Sequence, residues 1–444
     1  MKWIEIKRQL TTFRIIIAGF AGLILIGAVL LMLPVSSQSH TGTTFECALF
    51  TATSAVCVTG LVMQDTATYW SGFGQAVILI LIQVGGLGIV TMAAFVESAA
   101  GKKLTLLERN LVEDSISAFQ VGDMAKMVHY IIRFALIVEA AGVLCLMPVF
   151  CHDFGLQGIW MAVFHSISAF CNAGFDLMGA HSGAFSSLTA YSRNVMVILP
   201  VSLLIVFGGI GFLTWYDIIH VRRRFRKYRL QTKVVLVTSA ILILVPAIVY
   251  FLSEFANMPL PERISLSVFQ AVTPRTAGFN TADLTKMTGA GITLMILLMV
   301  IGGSPGSTAG GMKTTTIAVL FANAGAVFRR KKDTHMFGKR VEESAIKSAS
   351  ALLMAYMLLV LVCGMVISLV EGLPIGKCLF ETASAVGTVG LTLGITPSLG
   401  LLSHIILIML MFIGRVGGLT LMYATISRST VDVSRRPVEK INVG

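Results

Sequence analysis

The chain has 444 residues, of which 55% are hydrophobic and 13% charged, and its mean hydropathy is +0.84. Soluble domains carry about 25% charged residues, so a soluble globular protein and a disordered chain are both excluded, and the long apolar runs without two-residue alternation exclude an outer-membrane barrel. The formal net charge of +12 is concentrated between apolar runs, which points to membrane topology and away from nucleic acid.

Eight stretches are long enough to cross a bilayer, which takes roughly 20 residues each. The first, 15–33, has no small-residue cleavage site behind it and reads as a retained helix, not a signal peptide. The others follow near 74–96, 131–150, 195–216, 234–253, 291–328, 349–370 and 403–424. Between the two members of each successive pair lies a segment too apolar for a plain loop and too short to span.

Segments 34–73, 148–195, 254–293 and 371–404 together hold five basic and nine acidic residues. Segments 1–14, 97–133, 217–233, 329–347 and 428–444 hold 27 basic and 12 acidic ones. Lys and Arg mark the cytoplasmic side. The first set is therefore expected outside and the second inside, with both termini cytoplasmic in a multi-pass plasma (inner) membrane protein. The densest inner runs, Arg222-Arg223-Arg224 and Arg329-Arg330-Lys331-Lys332, read as topology anchors. Residues 102–120 place Leu104, Leu107, Leu111 and Ile116 near helical spacing and predict an interfacial amphipathic helix or docking surface. The seven cysteines form no CxxC pair, which argues against a disulfide framework or zinc site.

The four half-length segments repeat one another. Phe50–Gly60 reads FTATSAVCVTG, Phe164–Gly174 reads FHSISAFCNAG and Phe380–Gly390 reads FETASAVGTVG. Phe269–Gly278, FQAVTPRTAG, is one residue shorter. Each unit is helix, half-helix, glycine-containing turn, helix. Two full spans per unit make the four copies parallel, so that they can close around one axis along the membrane normal. The predicted units are 1–100, 131–230, 231–335 with an intramembrane loop at 302–316, and 336–427, with an interfacial linker at 101–130 and a cytosolic tail at 428–444. Exposed backbone inside a bilayer is tolerated only where it lines a cavity or is buried in protein. Four re-entrant segments around one axis meet that condition together. Their carbonyls face a shared path, and the negative ends of the half-helices point towards it, an arrangement that attracts and dehydrates a cation.

The whole chain resembles the membrane subunit of the Ktr potassium-uptake systems, within the Trk/Ktr/HKT superfamily. The resemblance is carried by Val58-Thr59-Gly60-Leu61, Asn172-Ala173-Gly174-Phe175, the stretch from Ala271 to Asn280 that includes Thr276-Ala277-Gly278, Gly387-Thr388-Val389-Gly390-Leu391, residues 306–315 and Phe412-Ile413-Gly414-Arg415. It implies a potassium-channel-like fold, all-α, whose selectivity filter is built from Val58, Thr59, Gly60, Asn172, Ala173, Gly174, Thr276, Ala277, Gly278, Thr388, Val389 and Gly390. Eight spans without extra N-terminal helices suit the Ktr branch better than the longer Trk branch. Sodium-transporting plant relatives carry serine where this chain has Gly60, which implies potassium as the transported ion. Val56-Cys57 departs from the hydroxyl residues that close relatives often carry there. The resemblance further implies a homodimer that pairs with a cytosolic regulatory ring binding ATP or ADP, sodium as a stimulating ion, and no organic cofactor in this chain.

The sixth span is broken. Apolar residues 291–301 cover ~16 Å and 317–328 about 18 Å at 1.5 Å per residue. Between them stand Gly302, Gly303, Ser304, Pro305, Gly306, Ser307, Thr308, Ala309, Gly310 and Gly311, which cannot hold a regular helix. The expectation is an intramembrane loop that blocks the path below the filter, and the related family carries such a loop as its gate. Arg415, midway along the last span, needs a cavity or a partner. It is expected to narrow the cation path and bond loop carbonyls between Ser307 and Gly310, the alternative partner being Glu139. Lys313 is expected to tether the loop or to reach the inner interface. Arg275 is expected to point behind the filter, and His165 to be a packed polar residue. A competing reading is an intramembrane serine hydrolase, because Gly302-Gly303-Ser304-Pro305-Gly306 matches GxSxG and His404 could serve as base.

Overall fold

The structure, a computed structural model, describes residues 12–99, 112, 124–222 and 224–417. The helix expected over 102–120 and the tail at 428–444 lie outside the described residues, apart from Val112.

Four units follow one another, each a long helix, a short re-entrant helix and a second helix. The first holds α1 (Thr12–Met32), α2 (Phe45–Val56) and α3 (Gly72–Leu87), continued by α4 (Ile89–Ala99). The second holds α5 (Met124–Phe154), α6 (Gln157–Phe170) and α7 (Val195–Ile210), continued by α8 (Phe212–Val221). The third holds α9 (Leu230–Leu252), α10 (Leu260–Val272), α11 (Gly289–Val300) and α12 (Thr314–Phe328). The fourth holds α13 (Glu343–Glu371), α14 (Ile375–Gly387) and α15 (Leu401–Val416). The second unit thus begins inside the stretch read as a linker.

Among the described residues, four helices are long and apolar enough to cross a membrane, or six if each bent pair counts as one span. The spans expected at 74–96 and 195–216 are not straight. The chain turns by 91° between α3 and α4 and by 94° between α7 and α8. Gly88, Gly211 and Gly417 end α3, α7 and α15 with φ of 90°, 99° and 93° and ψ near 130°, a backbone state that side chains resist. In the third unit the same level is occupied by the loop 301–313, longer at its start and shorter at its end than the expected 302–316.

Each re-entrant helix packs in its own unit and against the second helix of the unit before it. α6 lies on α3, α10 on α7, α14 on α11, and α2 on α15, which closes the circle. Within a unit, small residues bring the second helix close against the re-entrant helix, as membrane helix packing requires. Side chains at Gly85, Gly208 and Gly414 would strike the carbonyls of Val56, Phe170 and Val386, the same position in three units. Phe50, Phe164, Phe269 and Phe380, which open the repeated strings, are all fully buried.

Candidate ion pathway

The four re-entrant helices end immediately before the four glycine strings, so their negative ends converge there. Val58, Asn172, Thr276 and Thr388 have φ of 57°, 60°, 68° and 51°, and Gly60, Gly174, Gly278 and Gly390 have φ of 91°, 70°, 79° and 89°. Thr59, Ala173, Ala277 and Val389, which stand between them, do not have positive φ. In a plain strand successive residues face opposite ways, whereas alternation of left- and right-handed residues turns successive carbonyls to one side.

The four glycines form a closed ring. A Cβ on Gly60 would strike the Ala173 carbonyl, one on Gly174 the Ala277 carbonyl, one on Gly278 the Val389 carbonyl and one on Gly390 the Thr59 carbonyl. The units therefore follow the order 1-2-3-4 around the axis, and the ring has no room for a side chain at any of these positions.

Hydroxyls behind the ring brace it. The Gly60 N–H donates to Ser54 Oγ at 3.0 Å and the Gly390 N–H to Ser384 Oγ at 3.1 Å. Ser168 Oγ donates to the Phe175 carbonyl at 2.7 Å and Thr273 Oγ1 to the Phe279 carbonyl at 2.5 Å. Each hydroxyl lies four residues after the buried phenylalanine of its string. Sequence reasoning passed over this shared position, although the aligned strings display it. Asn172, with its amide oriented to donate to Ile205 O and Ala169 O at 3.1 and 3.0 Å, accepts from Thr276 Oγ1 at 3.3 Å and ties the second string to the third. Thr59 Oγ1 and Thr388 Oγ1 are buried without a partner among the described residues.

The residue after each of three phenylalanines holds the chain beyond the ring. His165 Nε2 accepts from the Leu177 N–H at 3.4 Å, and its Nδ1 meets Met161 O at 2.7 Å. It is a packed polar side chain. Gln270 Nε2 donates to Asn280 Oδ1 at 3.3 Å. Glu381 accepts from Thr392, Leu393 and Thr396 at 2.5–3.1 Å. Arg275 is buried and donates to Ser239 Oγ on α9 at 3.1 Å, so its charge sits behind the third string. Above the ring opens a cavity of about 230 Å³ with the four glycines in its lining and Asp65, Asp176 and Asp283 in its wall. Desolvation in that wall raises the half-buried Asp176 carboxyl to about 7, and the neighbouring Asp65 charge pushes in the same direction.

Below the ring lies the loop of the third unit. The last four carbonyls of a helix have no partner within it, and α3, α7 and α15 end at Gly88, Gly211 and Gly417 with such groups. The loop takes them. The Ser304 N–H donates to Gly209 O at 2.9 Å and the Thr308 N–H to Gly208 O at 3.2 Å, both in the second unit. The Gly311 N–H donates to Gly414 O at 3.1 Å, in the fourth. Thr308 Oγ1 also donates to Phe170 O at 3.0 Å, and Gly310 abuts Thr388. Units two and four flank unit three in the ring, so these bonds seat the loop between its two neighbours. Ser304, Thr308, Ala309, Gly310 and Gly311 are buried.

Arg415 links the loop to the first unit, which stands opposite the third. Its guanidinium donates to Thr308 O in the loop, and to Gly85 O and Gly86 O at the end of α3, the last at 2.9 Å. Loop, last helix and first unit are joined by one planar fork, for which an ammonium would be a poor substitute. The alternative pairing with Glu139 does not form: Glu139 accepts from Gln83 Nε2 at 3.0 and 3.2 Å. Lys313 Nζ donates to Ala309 O at 2.7 Å, back into the loop and not towards the inner interface.

The hydrolase reading fails on geometry. Ser304 Oγ meets Thr314 Oγ1 at 3.1 Å. His404 Nδ1 meets Glu46 Oε1 at 2.7 Å and its Nε2 meets Thr396 O at 2.9 Å. The imidazole is fully engaged at the seam between the first and fourth units and is unavailable as a base for Ser304.

Re-entrant hairpins enclosed by apolar helices define a multi-pass membrane transport protein. The chain belongs to the TrkH family of cation transport proteins, whose family model matches residues 5–430. It is 40% identical over 435 residues to the potassium/sodium uptake protein NtpJ of Enterococcus hirae, covering 96% of this chain and 95% of that one. It is 37% identical over 431 residues to the Ktr system potassium uptake protein B of Bacillus subtilis, covering 96% and 94%. The crystal structure of the potassium transporter TrkH from Vibrio parahaemolyticus shares the fold, with a TM-score of 0.73 over 93% of this chain and 84% of that one at 19% identity.

Proposed function

We propose that this chain takes up potassium through the glycine ring, and that the crossing loop with Arg415 is its gate. The observation that carries the reading is ring closure: each glycine is packed against the carbonyl preceding the next one. Backbone carbonyls from Val58–Gly60, Asn172–Gly174, Thr276–Gly278 and Thr388–Gly390 replace the water shell of the ion. The four helix ends and the vestibule acids lower its energy on approach. The two unpartnered threonine hydroxyls offer further oxygens to a cation or its water. The relatives named above, one a potassium/sodium and one a potassium uptake protein, support potassium as cargo and a role for sodium.

A loop of residues 302–311 held across the axis by four backbone bonds, the Arg415 fork and the Lys313 tether stops the ion. A net hydrogen bond is worth about 1 kcal/mol, so releasing the loop costs a few kcal/mol. Allosteric coupling supplies typically 1–3 kcal/mol, enough to shift such a balance. Regulation comes from a cytosolic ATP- or ADP-binding ring acting on a homodimer, with both termini and the basic segments on its side of the plasma membrane.

The test is complementation of a potassium-uptake-deficient bacterium at low potassium. Wild type restores growth. Gly60→Ser and Gly278→Ser, which force a Cβ into a neighbouring carbonyl, lose potassium uptake by at least about tenfold, the equivalent of ~1.4 kcal/mol on the barrier. Equal growth with these variants contradicts the reading.

A further inference from the structure

A groove of about 640 Å³ runs along α5 and meets the bent arm α8 at Ile219. Its wall changes chemistry along its length. Lys126, His129 and Arg133 line the part nearest the start of α5, and Phe134 and Ile137 continue the same helical face, with Ile219 reaching in from α8. The spacing of three, four and seven residues keeps them on one side of the helix. Arg133 is exposed and has no hydrogen-bond or ion-pair partner among the described residues. His129 Nδ1 donates to Ala125 O at 2.9 Å, and Nε2 is a second donor only in the imidazolium. Glu139, the only acid of α5 before Asp153, is committed to Gln83. The start of α5 also adds the positive end of a helix dipole.

We propose that this groove holds an anionic phospholipid of the inner leaflet. Its phosphate lies against Lys126, His129 and Arg133, and an acyl chain lies over Phe134, Ile137 and Ile219. Charge complementarity selects an anion, and the adjoining apolar half on a membrane-facing helix selects one that carries a hydrocarbon chain. Free phosphate would use only the basic half. The site is adjacent to the gate. Trp215 of α8 lies against Phe134 with ring centroids 5.7 Å apart, and the Phe212 N–H at the start of α8 donates to Gly306 O at 2.8 Å. An occupied groove therefore steadies the arm that holds one side of the loop.

The experiment is native mass spectrometry of the full-length protein released from nanodiscs containing equal phosphatidylglycerol and phosphatidylcholine of matched chains. Wild type retains phosphatidylglycerol preferentially. Arg133→Gln lowers that retention about fivefold, as expected for one basic group near an anionic surface, whereas Arg133→Lys preserves it. Ile137→Trp, which fills the apolar half without touching a charge, also lowers it, so the proposal stays testable if Arg133→Gln does not fold. Excess glycerol 3-phosphate leaves the bound lipid in place. Equal retention of the two lipids, unchanged retention in both Arg133→Gln and Ile137→Trp, or displacement by glycerol 3-phosphate would overturn the proposal, the last by assigning a headgroup-only anion site.

Discussion

The glycine ring and the loop beneath it touch, Gly310 against Thr388, yet they are built on opposite principles. The ring is made four times over. Each quarter has the same left-handed residues, a hydroxyl brace and a buried phenylalanine, and each packs against the next. Displacing one quarter disturbs all four. The loop is made once, from the third unit, and is seated on helix ends that the second and fourth units leave open, with Arg415 linking it to the first. Symmetry suits a site that must present one geometry to an ion. An asymmetric insertion, joined by a few separable bonds, suits a part that must move.

That contrast is sharpened by variants that strike one region and spare the other. The largest effect is expected at Arg415. Arg415→Ala removes the bonds to Thr308, Gly85 and Gly86 together with the guanidinium charge. Potassium flux in proteoliposomes rises by about tenfold or more, since charge-assisted bonds are worth roughly 1.5–3 kcal/mol each. Arg415→Lys gives an intermediate flux, because one ammonium cannot reproduce the fork. A flux equal to wild type in a folded Arg415→Ala protein removes the arginine from the gate.

A smaller effect is expected behind the ring. Ser384→Ala strands the Gly390 N–H, a buried donor whose loss of partner costs about 1–3 kcal/mol. Discrimination between potassium and sodium, read by competition flux, falls several-fold while the closed-state leak stays unchanged. If leak rises and discrimination does not, the division of labour between ring and loop is wrong. The smallest effect is expected at the vestibule. Asp176 carries its charge above about pH 7 and loses it below. Acidifying the outer medium through that range therefore weakens apparent potassium affinity a few-fold, and Asp176→Asn abolishes the pH dependence. A pH profile identical in the variant rules Asp176 out as its source.

The sequence exposed the ring and the loop for different reasons. The ring was legible because four copies of one string leave little room for coincidence. The loop was legible because glycine and proline interrupt an apolar run. The right-angle turns at Gly88 and Gly211 were not read, because hydropathy is the same whether a helix continues or bends. Their signal is local: Gly85-Gly86-Leu87-Gly88, Gly208-Gly209-Ile210-Gly211 and Gly414-Arg415-Val416-Gly417 are one motif, with Gly302-Gly303-Ser304-Pro305 as its interrupted counterpart. In that alignment Arg415 replaces the second glycine. The partners of Arg415 and of the loop could not be read from sequence, since they are backbone carbonyls freed by bends hundreds of residues away.

The most direct measurement compares potassium flux and potassium–sodium discrimination in proteoliposomes for wild type and a protein lacking residues 306–310. If the loop gates and the ring selects, the deletion raises flux and leaves discrimination unchanged. A folded deletion protein whose flux is unchanged or lost, or whose discrimination collapses with the loop, would contradict the account.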